Sequence, residues 1–198
     1  KMSDEKRMMG DYEITHSVFI GDHEIVMGEN LENKDGYYYM IADARRMDLY
    51  ISYENCLVSD DFTELAEQFA IRLSEQVNKL REDHKKLPTM DFIKLGDCTG
   101  LKPGDNIKNK IIVIKPDVLR SEHRVATEQL YYATGGFGTT GYSRGSSVRC
   151  INLYSGDHTR FERSDVMGTM EPDKLPEWAV KNFESIKEIA KNNKDKER

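Results

Sequence analysis

Apolar and polar positions along the chain fall into two kinds of rhythm, one near period two and one near 3.6. Tyr12–Ile20 and His23–Met27 are rich in β-formers on either side of Gly21-Asp22, which predicts a hairpin. Asn33-Lys34-Asp35-Gly36 marks a turn before a strand at Tyr37–Ala42, and Leu49–Tyr53 is a further short strand. After Ser59-Asp60-Asp61 the period changes. Phe62, Leu65, Phe69, Leu73, Val77 and Leu80 recur at helical spacing, so an amphipathic helix is expected to run to about Lys86 and stop before Pro88. The aspartates suit a helix start, because a carboxylate there accepts from orphan N–H groups at the positive end of the dipole.

Beyond a linker at 88–100, the pattern returns to short strands. Lys102-Pro103-Gly104-Asp105 is a turn before a strand at Lys110–Lys115, which Pro116 ends. Glu122–Ala133 reads as a short helix or as a helix entering a strand. Val148–Tyr154 and Thr159–Arg163 pair across Ser155-Gly156-Asp157, with Glu162 and Asp165 placed to bridge Arg160 or Arg163. Leu175-Pro176-Glu177-Trp178 opens a terminal helix whose apolar face is Trp178, Phe183, Ile186 and Ile189, ahead of a charged, frayed tail at Lys191–Arg198. The expected fold is α+β: an N-terminal antiparallel sheet with one long amphipathic helix over 1–88, then a β-rich subdomain with a Gly-rich loop and a C-terminal helix over 89–198.

The chain has 198 residues, of which 38% are hydrophobic and 32% charged, an extensively solvated composition that still holds a core. No apolar run approaches the ~20 residues of a membrane span. The N-terminal stretch has no signal-like apolar segment, and Met2, after Lys1, is expected to be the natural start. Three widely spaced cysteines, Cys56, Cys98 and Cys150, fit free thiols in a reducing cytoplasm.

Net charge of −6 conceals a division. Residues 10–78 hold fifteen acids against four Lys and Arg, whereas 102–163 hold ten bases against six acids. Two surfaces with different partners are one reading; two solvated faces are the other.

Chemistry is sparse. Thr134–Gly145 carries five glycines, yet it lacks the Gly-Lys-Ser/Thr of a P-loop and the spacing of a dinucleotide fingerprint. It reads either as a bent hairpin loop or as a flexible binding loop, Gly135, Gly136, Phe137, Gly138, Gly141 and Gly145, from which Tyr142 stacks and Arg144 and Arg149 reach phosphates. Arg120, Arg124, Arg160 and Arg163 extend the basic set. The histidines are scattered without ligand spacing, no base accompanies a cysteine, and Asp60-Asp61 is a helix cap rather than a catalytic pair. No catalytic residue, metal or cofactor is expected.

The order Gly135-Gly136-Phe137-Gly138, Arg144-Gly145, Leu153-Tyr154-Ser155-Gly156, Arg160-Phe161-Glu162-Arg163, Asp165, Gly168 and Leu175–Ala179 resembles an uncharacterised domain carried on conjugative elements and phages of gut Firmicutes. His16-Ser17, Ile20-Gly21-Asp22 and Ser59-Asp60-Asp61 extend the likeness. A stand-alone member of this size resembles the clostridial anti-CRISPR proteins that inhibit type II-A Cas9. The resemblance implies a non-enzymatic, mobile-element protein that binds a defence nuclease of the Cas9 type, with double-stranded DNA as a further partner. An acidic face at Asp22, Glu24, Glu29 and Glu32 would then enter the nuclease's basic channel. The alternative is a sequence-tolerant DNA-binding accessory of conjugation or replication.

Overall fold

A computed structural model describes residues 6–47, 50–141 and 144–196, the last nine of these by backbone alone. The chain is mixed α+β and divides into two compact units, Lys1–Lys86 and Leu87–Arg198.

In the N-terminal unit, β1 (Met8–Met9), β2 (Tyr12–Ile20), β3 (His23–Glu29), β4 (Tyr39–Arg46) and β5 (Ile51–Ser59) form an antiparallel sheet in sequence order, followed by α1 (Phe62–His84). Alternation along β3 and β4 loads both faces. Ile25, Met27 and Ile41 meet Leu65, Phe69 and Leu73 of α1. Val26, Met40, Ala42 and Ala44 face the other way, and the sheet curls so that Met9, Tyr12, Ile14, Ile51 and Tyr53 of the outer strands close over them. Each fully buried aliphatic side chain stabilises the unit by about 1.5–3 kcal/mol.

Helix α1 starts where the aspartates predict. The Asp61 carboxylate accepts from Thr63 N at 2.7 Å and Glu64 N at 3.4 Å. Only part of the apolar stripe is used as expected: Leu65 is buried, whereas Phe62 stays largely exposed and meets Tyr39 edge-on at 5.4 Å. β4 and β5 also differ from expectation. β4 begins at Tyr39 because Tyr37 and Tyr38 stay in the preceding loop, and β5 runs on to Ser59, bulging at Asn55 (φ 53°). Asn55 donates to Asp43 at 2.7 Å, and Arg72 of α1 bonds both Asp43 and the Asn55 carbonyl. Leu49 and Met2 lie outside the described residues.

The C-terminal unit contains a second antiparallel sheet: β6 (Thr99–Gly100), β7 (Ile111–Ile114), β8 (Leu130–Gly135), β9 (Ser147–Asn152), β10 (His158–Glu162) and β11 (Val166–Met170), in the order β10-β9-β8-β7-β11-β6. The stretch from 122 is a helix entering a strand, α2 (Ala126–Gln129) running directly into β8. One face is covered by α3 (Glu177–Lys196), through Ala179, Phe183 and Ile186, together with Ile93. The opposite face packs Ile107, Ile112, Ile114, Tyr131, Val148 and Cys150. The segment expected to be a linker is partly built in: the buried side chain of Gln129 accepts from Ile93 N at 2.6 Å and donates to the carbonyls of Ile93 and Ile114. β11 has no counterpart in the sequence reading, because Gly168 interrupts its pattern. That glycine is needed where Thr99 and Cys98 press on the strand; a Cβ would lie 2.9 Å from Cys98 Sγ.

No described helix is long and apolar enough to cross a membrane.

Candidate nucleic-acid interface

Over residues 135–141 the Gly-rich segment is a close-packed corner. Gly136 takes φ +103°, and a Cβ there would lie 3.1 Å from the Ser147 carbonyl carbon. At Gly138 a Cβ would overlap the Ser146 carbonyl oxygen and come 3.0 Å from Val148 Cγ2. At Gly141 it would come 2.6 Å from Gly104 Cα. Between these positions Phe137–Thr139 forms one 3-10 turn, fixed by Thr139 Oγ1 donating to Gly136 O and by Ile107 N donating to Thr139 O at 2.8 Å. Gly135 sits under the Arg149 guanidinium, and Gly145 lies against Phe137. At Gly136, Gly138 and Gly141 neighbouring backbone occupies the space of a side chain. Phe137 itself is 74% exposed, on a turn held from several sides.

The basic residues separate into three groups. Arg163 is spent inside the fold. Its guanidinium donates to the carbonyls of Gly138 and Asp105, each at 2.8 Å, and of Lys102 at 3.2 Å, locking the corner to the 102–105 turn. It is therefore not the free phosphate-binding arginine the sequence suggested. Arg120 and Arg124 lie exposed in the connection leaving β7, and Arg124 Nε donates to Leu119 O at 3.2 Å. That connection enters β8 at Leu130, roughly 17 Å from Gly135 at ~3.3 Å per residue, so these two do not join the arginines beside the corner.

Arg149 and Arg160 do come together. They are direct cross-strand partners in the β9–β10 ladder, both exposed, with Arg144 exposed where the corner returns to β9. Residues directly opposite have Cβ atoms about 5 Å apart. Neither arginine makes an ion pair among the described residues. Glu162, one pair further along the same face, is engaged by Ser146 Oγ, and Asp165 accepts from Glu162 N at 2.9 Å. The expected bridges from Glu162 and Asp165 to Arg160 and Arg163 are thus not formed. The ion pairs Arg7–Glu24 and Arg72–Asp43 lie in the N-terminal unit. Tyr142, proposed to stack from the loop, is outside the described residues.

The acidic set does not form one face. Asp22 lies at the β2–β3 turn and Glu29 at the far end of β3, roughly 20 Å away at ~3.3 Å per residue, with Glu32 exposed beyond it. Glu24 is buried, 1% exposed, and is no surface residue at all. Burial pushes its carboxyl up, but bonds from Arg7 and Ser17 outweigh that and hold it below the ordinary carboxylate value. Arg7 Nη1 pairs with one carboxylate oxygen, Nη2 reaches the other at 3.2 Å, and Nε donates to Tyr53 OH at 3.0 Å. The pair fastens the chain before β1 across the hollow of the curled sheet. A period-two reading of β3 places Glu24 with Val26, on the closed face, but nothing in the sequence pattern marks Arg7 as its partner.

Among the described residues no three His, Cys, Asp or Glu side chains gather as a metal ion would require. Cys150 of β9 is buried in the core cluster with Ile112 and Val148, and burial pushes its thiol up to about 12, the reverse of what a nucleophile needs. No family model, curated protein or solved structure matches the chain.

Proposed function

We propose that this chain is an anti-defence protein of a mobile element that binds a DNA-targeting nuclease of the Cas9 type and touches nucleic-acid phosphates with the Arg149–Arg160 face. The observation that carries the reading is that pair. Two guanidinium groups directly opposed on a ladder repel each other. Neither makes an ion pair among the described residues, the Glu162 carboxylate further along that face being bonded by Ser146 Oγ, so the arrangement favours an external anion, and a phosphate accepts two N–H bonds from a planar guanidinium fork. The acid-rich N-terminal unit suits a basic protein channel through its net charge rather than through a single patch.

The same arginine pair serves a DNA-binding accessory without a nuclease target. Binary mixtures separate the two: gel shifts of the protein with DNA alone, and size exclusion of the protein with the purified nuclease. The anti-defence reading expects a stoichiometric complex with the nuclease and a salt-sensitive shift of DNA. A DNA shift with no nuclease complex supports the accessory. No DNA shift at low salt removes the phosphate contact.

A further inference from the structure

Resting on the reading of this chain as a nuclease-binding protein, we propose that it holds that partner through one apolar end of the N-terminal unit, and that the partner's side of the contact is a basic protein surface. Glu29, Tyr39 and Ser59 stand in one row across β3, β4 and β5, so these strands end, begin and end at the same place. Leu31, Tyr37 and Tyr38 lie in the loop between β3 and β4, Leu57 and Val58 close β5, and Phe62 opens α1 directly afterwards. These six side chains are 37–68% exposed, a grouping that marks an interaction site more often than a plain solvated surface. β5 is the outermost strand, so no described strand covers Leu57 and Val58.

The patch is set in place before any partner arrives. Asn30 N donates to Tyr38 O at 2.8 Å, Tyr12 OH donates to Tyr37 O at 2.7 Å, and Asn30 Oδ1 and Asn33 Oδ1 accept from Glu32 N and Asp35 N. Such a surface gives up little freedom on contact, and aromatic side chains commonly anchor protein–protein interfaces. The charge around it decides the occupant. Segments 29–39 and 57–64 hold six acids, Glu29, Glu32, Asp35, Asp60, Asp61 and Glu64, against one base, Lys34. Asp61 is engaged by the α1 cap and Glu64 by Ser59 Oγ at 2.6 Å, whereas Glu32, Asp35 and Asp60 are exposed. Nucleic-acid phosphates would be repelled here. A second copy set patch to patch would bring two acidic frames together, and like charges across a contact oppose it. A surface with Lys or Arg around apolar side chains satisfies both the patch and its frame, and the Arg149–Arg160 face is left for phosphates.

The test is surface plasmon resonance of the full chain on immobilised, purified type II-A Cas9. Wild type is expected to bind with an association rate that falls as salt rises, because the acidic frame steers the encounter. Leu57→Thr with Val58→Thr is expected to speed dissociation by about tenfold; threonine keeps the β-branched preference for the strand, and an unchanged circular dichroism spectrum confirms the fold. Glu32→Lys with Asp60→Lys, both at exposed positions, is expected to slow association by about tenfold and to flatten its salt dependence. Neither double variant should alter the gel shift of DNA. Rates unchanged in either double variant overturn this inference and leave the nuclease reading standing. A wild-type dimer in sedimentation that Leu57→Thr with Val58→Thr dissociates also overturns it, in favour of self-association. Absence of any complex with wild type overturns both.

Discussion

Replacing Gly138 with Ala tests whether the Gly-rich corner is packed structure. A Cβ at Gly138 would overlap the Ser146 carbonyl oxygen, which must retreat by about 1 Å to reach even the tightest contacts real Cβ atoms make. That oxygen is not free to retreat, because it accepts from Arg163 N at 2.7 Å. On the other side stands Val148 Cγ2, 3.0 Å from the new atom and part of the buried core. Overpacking of this kind costs about 1–3 kcal/mol, and a weakened backbone hydrogen bond adds about 1 kcal/mol, giving roughly 3 kcal/mol. At ~4–8 °C per kcal/mol for a small unit, the melting point should fall by about 12–24 °C. Trp178, the sole tryptophan, lies in the C-terminal unit, so its emission during urea unfolding reports on that unit. Gly96→Ala is the control, since no atom lies within 4 Å and its φ is ordinary. The expected result is a much lower midpoint for Gly138→Ala and almost no change for Gly96→Ala. Midpoints that agree within ~0.5 kcal/mol would refute the close-packed corner and restore a flexible loop.

Further expectations follow from the same geometry. Glu24→Gln should destabilise the N-terminal unit by about 3 kcal/mol, because it leaves Arg7 without its carboxylate, and circular dichroism during denaturant titration measures this. Since the Glu24 carboxyl is held below its ordinary value, its contribution is present above the ordinary carboxylate range and is lost as pH falls through the lowered value; the variant should show a flatter acid limb. Arg160→Ala should raise the stability of the C-terminal unit by about 0.2–1 kcal/mol through relief of the opposed charges, while weakening oligonucleotide binding; a loss of stability would contradict that repulsion. Burial pushes Cys150 up to about 12, above its unfolded value, so its contribution is complete below about pH 8.5 and fades as pH rises towards 12. Native protein with Ellman's reagent at mildly alkaline pH should modify exposed Cys56 and spare Cys150 until the unit unfolds.

The sequence conveys elements better than it conveys contacts. The first hairpin, the Asp61 cap and the onset of α1 are local effects of period, turn residues and capping, and they appear where the pattern puts them. The α1 stripe packs from Leu65 onward while Phe62 at its start stays exposed, because burial depends on what the curled sheet offers and not on the helix alone. The Gly-rich corner was ambiguous for a similar reason. Glycine permits both mobility and close approach, and only the neighbouring carbonyls of Ser146, Ser147 and Pro103 decide between them. Among the candidate site residues, Arg149 and Arg160 were visible as bases on two expected strands, but their opposition depends on ladder register. Arg163 and Glu24 looked like surface charges because their partners are, respectively, backbone carbonyls and an arginine seventeen residues away. Neither kind of partner leaves a motif.

The central claim is most directly tested by cleavage of a linear duplex by a purified type II-A Cas9, with the protein titrated through equimolar ratio and the Arg149→Ala, Arg160→Ala double variant run alongside. The account expects protection that saturates near one protein per nuclease and that weakens in the double variant. Cleavage unaffected at any ratio would contradict it, as would protection reached far below equimolar ratio with repeated turnover, which would indicate an enzyme.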